Sequence, residues 1–182
     1  MSSNYLTVVS VGLDVVRVKL RSHDPAFEER LKAAKGHASA AEQIACTSLL
    51  QGTFTRDPKT GASPDAHLIV RAFMRACKLL ANSALTIETY VDEDRTPLLW
   101  EFAWSDWEGG NDLGLPFSEF GIPAVTWHGP ERTIQFLSKF EAWRTAQNWD
   151  RDCLSGHDLD ELIDIVRKAS GNDEGVFVFI EE

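Results

Sequence analysis

The sequence predicts an α+β fold in which helices pack on a small sheet that includes the N- and C-terminal strands. Three observations carry this expectation. β-branched and aromatic residues concentrate at both ends, as YLTVVSV at residues 5–11 and VFVFI at 176–180, the composition that suits a pleated, half-buried surface. The middle is dominated by segments whose apolar residues recur at helical spacing between capping residues. No linker, repeat or low-complexity tract divides the 182 residues, a length that suits one packed domain, so residues 1–182 are read as a single α+β domain. Two short end strands cannot stand alone, and pairing within one sheet is the expected solution.

The elements follow in order. After the first strand and Gly12, Leu13, Val16 and Leu20 have the three- and four-residue spacings of a short helix, although Val15, Arg17 and Lys19 also fit a strand continuation. Asp24-Pro25 starts a helix, with Asp24 as the cap, Pro25 at the first helical position and Glu28 and Glu29 near its positive end. Gly36 is its expected stop. Residues 38–51 form an Ala-rich helix expected to turn Ala41, Ile44, Ala45 and Leu49 inward. GTFTRDPKTGAS at 52–63 is a loop by composition. Ser63-Pro64-Asp65 then opens a helix over about residues 64–82, with Leu68, Ala72, Ala76 and Leu79 in one row and Ile69, Phe73 and Leu80 in the next. Two adjacent apolar rows place it at the centre of the core.

LTIETYV at 85–91 is a strand and DEDRTP an acidic loop. IPAVTW at 122–127 is a strand or extended segment, and Gly129-Pro130 begins a helix to about Ala146. Its expected inward side is Ile134, Leu137, Phe140 and Trp143, flanked by Phe136. Ser155 and Asp158 form a capping box with Asp in place of Glu, ahead of a helix carrying Leu159, Leu162, Ile163 and Val166. Gly171 ends it, and the terminal strand follows.

The stretch PLLWEFAWSDWEGGND at 97–112 holds three of the six tryptophans. As a helix it places Trp100, Trp104 and Trp107 within roughly 60° of one another, with the acids to one side. As a strand it places Leu98, Trp100, Phe102 and Trp104 on one face. The helix suits it better, because that arrangement also gathers Trp107 and leaves the acids out. In either case the tryptophans share a face suited to the core, or to a partner.

Charge narrows the function. The formal net charge is −10, and it is unevenly spread: residues 1–90 carry 11 Lys+Arg against 8 Asp+Glu, residues 91–182 carry 7 against 20. An acidic half disfavours nucleic-acid phosphates and anionic membrane surfaces, and steers basic proteins in. No apolar run reaches the roughly 20 residues of a membrane span. The start, MSSNYLTVVSVG, lacks the regions of a signal peptide, so a cytoplasmic location is expected. Cys46, Cys77 and Cys153 are odd in number and far apart, as suits buried reduced thiols.

Chemistry-bearing patterns are sparse. The chain contains no GxSxG, GxxxxGK[ST], GxGxxG or HExxH pattern, so no cofactor is expected. His128 with Glu131 is the candidate acid–base pair of an enzyme, a hydrolase or transferase, with a site no linear pattern reveals. His157 and Glu161 stand one helical turn apart but have an ordinary structural use, and Asp150-Arg-Asp152 departs from a calcium loop at Leu154 and Gly156. No metal site and no catalytic residue is assigned. The leading expectation is a non-enzymatic acidic binding protein, in concrete form an immunity-type protein that neutralises a basic toxin domain. Its partner-binding residues would be Asp92, Glu93, Asp94, Trp104, Asp106, Trp107, Glu108 and Asp112.

The order YLTVVSV, GLDVVRVKLRSHD, SLLQGTF, FGIPAVTWHGPERTIQFLSKF and GVFVFIEE resembles the YfbM-like group of small bacterial proteins. The resemblance is one of layout over most of the chain, and residues 85–112 have no counterpart in it. It implies a single-domain α+β fold in a bacterial cytoplasm. It implies no particular activity and carries over no site residue.

Overall fold

The computed structural model of the chain describes residues 4–33, 39–55, 63–104, 113, 115 and 124–181. Among them are seven helices and four strands: β1 Asn4–Ser10, α1 Leu13–Leu20, α2 Pro25–Ala33, α3 Ala40–Gln51, α4 Ala66–Leu80, β2 Ser83–Thr89, α5 Pro97–Ala103, β3 Ala124–His128, α6 Pro130–Ala146, α7 Gly156–Gly171 and β4 Val176–Glu181. The fold is α+β. The strands form one sheet in the order β2-β1-β4-β3, with every neighbouring pair antiparallel. The first and last strands are its two central members, with Val8 opposite Val178.

Helices cover the sheet on both sides. Alternation along the strands turns Leu6, Val8, Ile87, Val176, Val178 and Ile180 toward α5, α6 and α7. It turns Val9, Phe177 and Phe179 toward α1 to α4. This explains why VFVFI has no polar alternation: each successive residue enters a different core, and all five are fully buried. Phe73 of α4 meets Phe177 edge-on at 5.2 Å between ring centroids. On the other side Phe102 of α5 packs on Phe136 and Phe140 of α6 at 4.9 and 5.1 Å. Edge strand β2 is less enclosed, with Ile87 and Thr89 buried and Ala84, Thr86 and Glu88 exposed.

Helix starts follow the sequence signals. Asp24 accepts from the Ala26 and Phe27 N–H groups. Ser39 and Glu42 close a reciprocal capping box on α3. Ser155 caps α7 by accepting from Asp158 N at 3.1 Å. Ser155→Ala removes that acceptor, and urea denaturation is expected to report a loss of about 1 kcal/mol. The weakly patterned segment after Gly12 is helical. So is the start of the tryptophan stretch, because Pro97 occupies the first turn and Trp100 N and Trp104 N bond back to Thr96 O and Trp100 O. Gly36 and most of the 52–63 loop lie outside the described residues.

Two inward faces differ from expectation. On α3, Ile44 is 65% exposed and Ala41 is exposed, while Cys46 and Leu50 join Ala45 and Leu49 in the core. The helix is rotated so that Glu42 meets the buried Arg75 of α4 at 2.5 Å. The Ser39 N–H and Arg75 hold the Glu42 carboxyl down at about 2. On α6 the buried row is Thr133, Phe136 and Phe140, and Ile134 is exposed. Thr133 is tolerated inside because its hydroxyl donates to Gly129 O at 2.9 Å. The three cysteines are buried and unbridged, and burial raises each thiol above its usual range.

Candidate functional site

Two loops meet where β2 ends, and they bring several acidic side chains together. Residues 90–96 connect β2 to α5, and residues 147–155 connect α6 to α7. The Thr89 hydroxyl donates to Cys153 O at 2.5 Å, and Tyr90 N–H donates to the same carbonyl at 3.4 Å. Asp92 Oδ1 accepts from Asp94 N and Arg95 N, which curls the first loop. Thr96, fully buried, donates its hydroxyl toward Tyr90 O and Asp92 O and accepts from Asp92 N. Arg95 then reaches across to Asp150, Nε to Oδ2 at 2.8 Å. Asp150 holds its own loop by accepting from Asp152 N, and its carbonyl accepts from Cys153 N and Leu154 N. The Arg95 guanidinium lowers the Asp150 carboxyl below its usual range, and Asp150 raises Arg95.

The result is a rigid frame that presents Asp92, Glu93, Asp94 and Asp152 near one another. Glu93 and Asp94 are exposed, and among the described residues neither carboxylate meets a cation. Elsewhere on this side the acids are largely neutralised within the protein. Arg144 holds Asp160 with two nitrogens, at 2.5 and 3.1 Å. Arg167 joins Glu141 and Asp164, Lys168 also reaches Asp164, and Lys139 pairs with Glu101. The negative balance of the second half is therefore not a uniform field on α6 and α7.

The expected partner-binding residues divide accordingly. Asp92, Glu93 and Asp94 share one loop, Asp92 also serving as its internal cap. Trp104 is half-buried against the core, with its ring 5.3 Å from that of Trp100, and its Nε1–H is buried without a hydrogen-bond partner among the described residues. It packs more than it projects. Asp106, Trp107, Glu108 and Asp112 lie outside the described residues.

The acid–base candidate is not assembled. His128 is fully buried at the end of β3, its ring stacked on Phe102 at 4.9 Å and tilted against Phe136 at 4.6 Å. Nε2 lies 2.6 Å from Phe102 O; a carbonyl only accepts, so Nε2 carries the proton and Nδ1 is a lone pair with no partner. Burial pushes the imidazole down to about 4, so it is neutral at pH 7. Glu131 is exposed on an open depression lined also by Gly129, Pro130, Arg132, Gln135 and Asp173. His157 and Glu161 approach only to 3.7 Å on an exposed turn. No group of three metal-capable side chains occurs among the described residues.

Sequence patterns missed the Arg95–Asp150 link and Glu174, which accepts from Ser10 at 2.7 Å and from the Asn82 amide. Neither carries a local signal, because the partners come from distant elements. Among the described residues no helix is long and apolar enough to cross a membrane. The chain matches no family model, and no curated protein or solved structure is similar enough to count as a relative.

Proposed function

We propose that the protein is a non-enzymatic binding protein whose acidic loop pair engages a basic protein, and that it acts as an immunity-type inhibitor of a basic toxin domain. One observation carries the proposal. Glu93 and Asp94 stand exposed, with no cation partner among the described residues, on a loop fixed by Arg95, Asp150 and Thr96, whereas Asp150, Asp160, Glu141 and Asp164 already have cations. A preorganised acidic loop loses little freedom on docking, and its field accelerates the approach of a cationic surface. The bacterial, cytoplasmic setting implied by the layout resemblance is part of the same proposal.

The test is capture from the native host at low salt with the tagged chain, followed by association kinetics with the captured protein. The expected result is a basic partner bound at a defined ratio. Glu93→Lys with Asp94→Lys should slow its association by about tenfold or more at low salt. The difference should shrink at high ionic strength, where screening shortens the reach of exposed charges. No specific partner, or one bound equally fast by the reversed variant, would overturn the assignment.

A further inference from the structure

Edge strand β3 is tied to α5 by two side chains. Alternation along β3 turns Thr126 and His128 to the same side, and both are buried. The Thr126 hydroxyl donates to Ala103 O at 2.9 Å, and the His128 Nε2–H donates to Phe102 O at 2.6 Å. A helix leaves its last four carbonyls without partners of their own, and these two belong to the last turn of α5. The strand thus caps the helix through two bonds. Both tied elements are short, five residues at the sheet edge for β3 and seven for α5. Short peripheral elements open at lower cost than a central ladder such as β1–β4.

One half of this clasp can change its charge. The His128 ring is stacked on Phe102 and tilted against Phe136, and its Nδ1 is buried with no partner among the described residues. A proton added there strengthens the bond from Nε2 to Phe102 O, but it also creates a buried charge and a second N–H with nothing to accept it. The charged groups around the ring offset one another. On α5, Glu101 favours the imidazolium, yet its carboxylate already holds Lys139 at 2.6 Å, and that ammonium lies 5.1 Å from the Phe136 centroid. On α6, Arg132 opposes the imidazolium from 5.8 Å above the same ring. On β4 the residue opposite is Val176. Glu131 and Asp173 are exposed on the open depression beside Gly129. Burial therefore prevails, and it acts against the charged ring.

We propose that His128 and Thr126 form an acid-operated latch: a proton taken up at Nδ1 drives the ring toward water, frees Phe102 O and detaches α5 from β3 while the β1–β4 ladder holds. The latch does not touch the 92–94 loop and is tested without a partner, so it stands apart from the binding proposal. The test is amide hydrogen exchange of the full chain by NMR between pH 6.5 and 4, corrected for the intrinsic pH dependence of exchange. Protection of the Trp104 N–H, which bonds to Trp100 O, and of the β3 amides should fall by about tenfold or more as the His128 ring titrates, while Val8 and Val178 amides keep theirs. His128→Gln retains a donor for Phe102 O and does not titrate, so it should remove this pH dependence. Thr126→Val deletes the other bond and keeps the titrating group, so it should move the opening to higher pH. The proposal is overturned if α5 and β3 stay protected while the ring titrates, if the central strands lose protection together with them, or if the His128→Gln profile matches the wild type.

Discussion

Gly175→Ala is expected to lower the unfolding free energy by about 3 kcal/mol, the upper part of the usual cost of overpacking. Gly175 is the buried residue before β4, and it lies against the end of β3. A Cβ there would overlap the His128 carbonyl oxygen and the Trp127 ring, whose Cζ2 would be 2.5 Å away. The carbonyl is backbone in a hydrogen-bonded strand and cannot turn aside. The Trp127 ring is held against Phe177 with 4.5 Å between centroids. Relief therefore requires β3 to move away from β4, which strips the pairing from His128↔Val176 inward. Gly171→Ala is the control, because nothing lies within 4 Å of a Cβ there. It should be neutral or slightly stabilising, since Ala is the better helix former. Urea denaturation of the two variants distinguishes this steric cause from a general intolerance of glycine replacement.

The second large effect is on pH dependence. Burial disfavours the imidazolium and pushes His128 from the ordinary 6.5 down to about 4 in the folded protein. The unfolded chain thus binds this proton more readily than the folded one. The contribution is fully present above the unfolded value, declines as the pH falls from 6.5 toward 4 and levels off below that. The difference corresponds to about 3 kcal/mol over the window. His128→Gln keeps an amide donor for the Phe102 carbonyl and does not titrate. It should cost some stability at neutral pH and flatten the stability–pH profile between 6.5 and 4. If the slope in that window is unchanged in the variant, His128 is not its source.

The fold was legible where local chemistry and tertiary demand agree. VFVFI reads as a strand from its β-branched and aromatic residues, although its burial on both faces shows only in the fold, and the Asp24-Pro25 and Ser155 starts follow from unsatisfied N–H groups that any helix must cap. The errors on α3 and α6 have one cause. Periodicity finds that a helix has an inner stripe, but the orientation of that stripe depends on what lies opposite. Arg75 drew Glu42 inward and left Ile44 outside, and the two ionic partners are 33 residues apart. The site was legible only in part. The 92–94 acids stand out in the sequence as a charge run, whereas their support through Arg95 and Asp150 spans 55 residues and leaves no linear trace. His128 looked like a base beside a carboxylate because the Phe102 carbonyl that engages it comes from 26 residues away.

The placement of the first strand beside the last has a kinetic consequence. Tyr5 pairs with Glu181 and Leu6 with Ile180, so the central ladder closes only after a very long loop has been drawn together. Relative to a ten-residue hairpin, that closure costs about 2.5 kcal/mol more in chain entropy. The β1–β2 ladder, whose strands are separated by α1 to α4, and the local helix pairs α3–α4 and α6–α7 have shorter closures to make. β4 therefore enters a partly built molecule, inserting between β1 and β3 and joining the two cores in one step. Until it arrives, the inner side of β1 is an open strand edge. During synthesis β4 is translated after every other element, so that edge stays open until the last strand emerges. The time spent in that state, more than the depth of the final well, sets the exposure of this fold to misassembly.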